Sequence, residues 1–156
     1  MKKKIRILLT MLIAMAACFG FSIKAQAATI SAQVEGAECY RMAFEVLDGI
    51  NEERTSQGLG TLTMDKTLME AAMQRASECA VNYSHTRPDG TSCFTVITEY
   101  GFTYTGSVYE NIAAGQTSAS SAVTDWINSP GHYANLTQAK AVSTGVGVFS
   151  HGGHYY

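Results

Sequence analysis

Ser129-Pro130-Gly131-His132-Tyr133-Ala134-Asn135-Leu136 is the stretch on which the reading of this chain turns. It sets a histidine directly after a Pro-Gly break. Before it, residues 118–128 open with Ser and Thr and carry Val123, Trp126 and Ile127 at helical spacing. That predicts a short amphipathic helix ending at Pro130-Gly131. Two other polar stretches share the same half of the chain. One is Tyr83-Ser84-His85-Thr86-Arg87-Pro88-Asp89-Gly90, and the other is Tyr109-Glu110-Asn111-Ile112-Ala113-Ala114-Gly115. Each puts one chemistry-bearing side chain into a turn-rich context.

Outward from these stretches the periodicities are regular. Tyr40, Ala43, Phe44, Leu47 and Ile50 predict a first helix over 38–57, stopped by Gly58. Asp65 caps a second helix over 66–82, with Leu68, Met69, Ala72, Ala76, Cys79 and Ala80 as its apolar stripe. Pro88-Asp89-Gly90 is turn chemistry. A third helix of about ten residues is expected from Thr91 to Gly101. Residues 102–115 suit a strand or extended loop. Gly145 to Ser150 alternates glycine with Val146 and Val148 and reads as a strand, and Gly152-Gly153 turns into a second strand at His154. The expected core is Leu47, Leu68, Ala72, Phe94, Ile97, Trp126, Ile127, Val146 and Val148. Tyr83 and Tyr109 are expected to pack with it, and His151 and His154 to be solvated. Helices around strands predict one α+β layered domain.

The N-terminus has the pattern of an export signal. Lys2, Lys3, Lys4 and Arg6 precede an apolar run from Ile7 to Ile23, and Ala25-Gln26-Ala27 supplies the small residues of a cleavage site. Residues 1–27 are therefore expected to be removed, leaving a linker over 28–37, a domain over 38–156, no membrane span and a secreted, monomeric product. Cys18 in Met15-Ala16-Ala17-Cys18 offers a lipoprotein alternative. Residues 28–156 keep 6 Lys or Arg against 13 Asp or Glu, a net charge of −7. Nucleic acid is excluded as a partner on that balance, since phosphate binding needs a basic face. Cys39, Cys79 and Cys93 are an odd number in an oxidising compartment. Pairing of Cys79 with Cys93 would staple the loop between them; buried free thiols are the alternative.

Imidazoles and a carboxylate can complete an open site for a divalent first-row metal, or hold and activate water. There is no His-Glu-x-x-His, phosphate loop or Cys-x-x-Cys. Ser84 and Ser129 lie near histidines in sequence, which does not make a triad. Arg87 and Asp89 read as loop-fixing groups.

Taken together and in this order, the three stretches resemble the CAP superfamily of cysteine-rich secretory proteins, insect antigen 5 and plant pathogenesis-related 1, in its compact bacterial form. The resemblance covers roughly residues 40–156. It implies a three-layer α/β/α sandwich with a central, mainly antiparallel sheet. It also implies a cleft faced by two histidines and two acids, onto which His85, Glu110 and His132 carry over by motif as metal ligands, with zinc first among the cations. The second acid has no counterpart: its place falls in Asn128-Ser129-Pro130, and Asp125 is the nearest carboxylate. Asn128, Ser129 or water would fill the fourth position. The function implied is a binding or interaction role toward a small-molecule or lipid-like ligand, or a host or cell-surface partner. A metal-assisted, peptidase-like hydrolase in the same cleft is the alternative. Family members continue past the Gly-Gly turn through a full strand, so the last strand is expected to be truncated at Tyr156, with Val146–Phe149 incompletely paired.

Overall fold

The computed structural model describes residues 3–11 and 28–156. Cleavage after Ala27 and the Cys18 alternative lie outside the described residues. Lys3–Met11, assigned above to the export signal, forms strand β1. It pairs antiparallel with β2 (Ala28–Glu38) from Lys3↔Gly36 to Met11↔Ala28. The linker expected over 28–37 is thus a strand. Ile30, Ala32 and Val34 alternate with Ser31, Gln33 and Glu35, a period of two that marks a strand.

Five helices follow from there: α1 (Tyr40–Ser56), α2 (Lys66–Val81), α3 (Thr95–Glu99), α4 (Ala119–Ile127) and α5 (Pro130–Leu136). Short strands β3 (Thr63–Met64) and β4 (Ser143–Thr144) pair in parallel. Strands β5 (Phe149–His151) and β6 (His154–Tyr155) close a hairpin over Gly152 and Gly153, both at positive φ. The main sheet runs β1-β2-β5-β6 and is antiparallel throughout. The architecture is the expected α+β arrangement.

The Gly-Val-Gly-Val segment explains the layering. A Cβ built on Gly145 would lie 2.1 Å from the Leu68 carbonyl carbon, and one on Gly147 2.1 Å from that of Ala72. Both glycines therefore sit against the main chain of α2. Val146 and Val148 point the other way, into a core formed with Ala43, Val46, Leu47 and Ile50 of α1, Ala119 and Val123 of α4, Leu136 of α5 and Met73. Phe149 returns to the α2 side, fully buried with Val34 and Ala76. Helix α2 thus covers one face of this segment, and α1 with α4 covers the other. Gly147→Ala is expected to cost about 3 kcal/mol, at the upper end of overpacking, because the obstacle is main chain and has no rotamer to yield. A thermal midpoint unchanged in this variant would refute the contact.

Several expectations change. On α1 the buried stripe is Ala43, Val46, Leu47, Ile50 and Arg54, whereas Tyr40 and Phe44 are exposed. Gly49 lets α4 approach on that side, its built Cβ falling 3.3 Å from Val123. Asp65 does cap α2, accepting from the Leu68 amide at 2.9 Å. Leu68, Ala72, Phe94, Trp126 and Ile127 are only partly buried, while Leu47, Ile97, Val146 and Val148 are core. Tyr83 and Tyr109 are exposed rather than packed. Helix α3 is half the expected length because residues 91–93 fold back on the preceding turn instead. Thr86 bridges to Ser92, and the Cys93 amide donates to the His85 carbonyl at 3.1 Å. The Pro-Gly break ends α4 and also begins α5, with Pro130 in the first turn where a missing N–H costs nothing. At the other end, Phe149 is not left unpaired: its amide and carbonyl exchange hydrogen bonds of 2.9 Å with Tyr156.

Candidate functional site

Helix α2 places Arg75 and Glu78 one turn apart, both buried. Arg75 Nη1 donates to Glu78 Oε2 at 2.7 Å, and Arg75 Nε donates to Glu110 Oε1 at 2.8 Å. A third donor, Nη2, reaches the Ser84 carbonyl at 2.8 Å. From the next loop Arg87 Nη2 donates to Glu78 Oε1 at 2.8 Å, and its Nη1 donates to Glu99 Oε1 at 2.6 Å and to the Thr95 hydroxyl at 2.8 Å. Burial works against both guanidinium charges, but Glu110 and Glu78 around Arg75, and Glu78 and Glu99 around Arg87, raise both above the usual arginine range. Arg87 thus fixes its loop as expected, and Asp89 does so by accepting from Thr91.

This network presents Glu110. With Oε1 held by Arg75, Oε2 meets His85 Nδ1 at 2.6 Å. A carboxylate only accepts, so the pair requires Nδ1–H, and in the neutral imidazole the lone pair is then on Nε2. The His85 side chain is 57% exposed, against 15% for Glu110. Glu110 is therefore oriented from within and His85 is offered outward. The backbone around Glu110 is tied from α4 and α5. Asn135 Nδ2 donates to the Glu110 carbonyl at 3.3 Å, and Trp126 Nε1 to the Ile112 carbonyl at 3.2 Å.

His132 lies in the first turn of α5. Its Nδ1 is 2.9 Å from Ser129 Oγ, and its carbonyl accepts from Asn111 Nδ2 at 3.0 Å. The residue after Glu110 thus touches α5 beside His132. Of the three carried-over residues, His85 and Glu110 are in direct contact. The group whose donor atoms all lie within 4.8 Å of one another is, among the described residues, His85, Glu110 and Cys93. Asp125 accepts from Gln116 Nε2 at 2.9 Å, and Ser129 is engaged with His132. A groove of about 620 Å³ between α1 and α4, lined by Glu45, Asp48, Glu52 and Val123 among others, shares no residue with this cluster.

Two features escaped the sequence reading. One is the Arg75–Glu78–Arg87 network: charged residues at helical spacing look like a solvated face unless their burial is known. The other is Cys93. It lies opposite His85 across the Pro88-Asp89-Gly90 turn, as Thr86 lies opposite Ser92, so counting outward from the turn would have found it.

All three described cysteines are free thiols. Burial pushes Cys79 up to about 11, with Arg75 only partly opposing it. Burial, with Glu110 adding to it, pushes Cys93 up to about 11. An unfolded thiol titrates near about 8.5. The folded protein therefore holds these protons more tightly. Their contribution to stability is complete below about pH 8.5 and is lost as pH rises toward 11. Urea midpoints of the parent should fall over that window more steeply than those of Cys79→Ala; parallel pH profiles would contradict this.

Known proteins resemble this chain in sequence and in fold. Residues 47–156 match the family model described as CAP, the cysteine-rich secretory protein family. The uncharacterized protein YkwD of Bacillus subtilis (strain 168) is 34% identical over 110 residues, which is 69% of this chain and 42% of that protein. The chain thus spans less than half the length of that relative. The fold matches an extracellular protein containing an SCP domain from Bacillus anthracis str. Ames, with a TM-score of 0.65, 22% identity and coverage of 83% of this chain and 45% of the other. It also matches an outer surface protein of Borrelia burgdorferi, with a TM-score of 0.60, 21% identity and coverage of 77% of this chain and 93% of the other. The chain belongs to the CAP family.

Proposed function

We propose that this protein is an exported CAP-domain binding module whose His85–Glu110 pair, together with His132, takes up a divalent cation, zinc first. The cation and the surrounding residues would engage a small-molecule or lipid-like ligand, or a cell-surface partner. The observation that carries this reading is the arginine-held Glu110 bonded to an outward-facing His85. A histidine whose second nitrogen is fixed by a carboxylate is the arrangement that orients metal-bound imidazoles. Export is supported by the basic and apolar N-terminal pattern, and by relatives described as extracellular or outer surface proteins. Among the described residues no helix is long and apolar enough to cross a membrane.

Calorimetric zinc titration tests the reading. The parent is expected to bind one equivalent, and His85→Ala and His132→Ala each to weaken binding at least about tenfold, near 1.4 kcal/mol. No heat in the parent would remove the cation from the proposal. A second reading is favoured by the lone pair on His85 Nε2: the same pair could take a proton from water, as a hydrolase requires. Turnover of a peptide or ester library that is lost in His85→Ala would favour it over simple binding.

A further inference from the structure

We propose that Cys93 is a further donor to the ion taken up by His85, Glu110 and His132, adding a thiolate that makes the centre selective for thiophilic cations. This rests on the reading that the site holds a metal, and adds a ligand to it. The geometry is already close. One donor atom each from His85, Cys93 and Glu110 lies within 4.8 Å of the other two. Donors about 2.0–2.3 Å from a tetrahedral ion stand roughly 3.3–3.8 Å apart, so each separation has to change by no more than about 1.5 Å.

The backbone fixes this placement. The Cys93 amide bonds to the His85 carbonyl, the Thr86–Ser92 bridge lies just inside that contact, and α3 begins two residues later. Register rather than a rotamer choice therefore holds the thiol opposite the imidazole. Exposure falls from the imidazole inward to the thiol. Cys93 is 6% exposed, Glu110 15% and His85 57%. An ion entering past His85 meets the sulfur at the bottom, where water competes least.

Binding balances simply. The S–H bond breaks, the sulfur–metal bond forms, and the proton leaves to solvent. The ion replaces the His85–Glu110 hydrogen bond: Glu110 keeps Oε1 on Arg75 and releases Oε2 from Nδ1–H to the ion, and that ring proton passes to Nε2 as Nδ1 binds. The thiolate and carboxylate together bring two negative charges to a doubly charged cation. A thiolate ligand favours zinc and softer ions over magnesium and calcium.

Cobalt(II) titration reads the sulfur directly, through its near-ultraviolet charge-transfer band. The protein carrying Cys18→Ser, Cys39→Ser and Cys79→Ser, with Cys93 as its one cysteine, is expected to show this band, rising to one equivalent and displaced by zinc. Adding Cys93→Ser should abolish it and weaken zinc binding about tenfold or more. Cobalt binding that depends on His85, shows no sulfur band and is unmoved by Cys93→Ser overturns this proposal and leaves the metal reading standing. Absence of binding by either ion overturns both. If Cys93→Ser does not fold, maleimide labelling of Cys93 in the Cys18→Ser, Cys39→Ser, Cys79→Ser protein decides. Protection by saturating zinc supports ligation, and an unchanged labelling rate overturns it.

Discussion

Glu78→Ala is expected to destabilise the protein by about 3–5 kcal/mol, because it strands two buried guanidinium groups without their shared carboxylate. Glu78 is 1% exposed and accepts from Arg75, from Arg87 and from Gln74 Nε2 at 3.2 Å. Removing it leaves Arg75 with Glu110 and Arg87 with Glu99. At a slope of roughly 2 kcal/mol per molar urea, the unfolding midpoint should fall by about 2 M. The effect should reach the site as well, since Arg75 loses Glu78, the other acid that holds it in place beside Glu110. Zinc affinity in Glu78→Ala should therefore fall even where the fold persists. A midpoint within about 0.5 M of the parent, a margin of about 1 kcal/mol, would show that the network is replaceable.

Arg54→Ala should cost as much, about 3–5 kcal/mol, for a different reason: it strands several carbonyls at about 1–3 kcal/mol each. Arg54 is fully buried and no carboxylate among the described residues partners it. Its Nε donates to the Gly60 carbonyl at 2.8 Å, and Nη1 to those of Leu136 and Gln138 at 2.7 and 3.1 Å. The Leu136 carbonyl ends α5, where helix carbonyls lack intrahelical partners and carry partial negative charge, and Gln138 lies just past it. Arg54 is thus both the cap of α5 and the clamp that holds α5 to α1. Arg54→Lys keeps the charge but not the planar fork, and should recover less than half of the loss. Equal melting temperatures for the parent and Arg54→Lys would refute a role for the fork geometry.

How much was legible depends on which forces write themselves into local pattern. Helices α1, α2 and α4 were readable because apolar spacing and the Asp65 cap are local signals. The glycine–valine alternation gave the 145–148 segment its two faces, though not the identity of the elements on either side. β3 and β4 were missed because two-residue strands have no period to read. His85 and Glu110 were found through their motifs, but Arg75 and Cys93 were not. A residue's role at a site depends on what lies opposite it, and that is settled by register. The same ambiguity put Phe44 on the apolar stripe of α1: it shares helical spacing with Leu47, yet α4 docks on the neighbouring stripe.

The two glycines pressed against α2 have a consequence for how this site could change its ligand. Side chains can swing to absorb a substitution; peptide planes cannot. Where Gly145 and Gly147 meet the main chain of Leu68 and Ala72, the seat of the helix is set by atoms that every amino acid shares. The next two turns of that helix carry Arg75 and Glu78. Substitutions in the 83–93 and 109–112 loops can therefore retune size, polarity and metal preference at the mouth of the site, while the arginine beneath keeps its depth. The floor is indexed to the skeleton, and only the rim is free to vary.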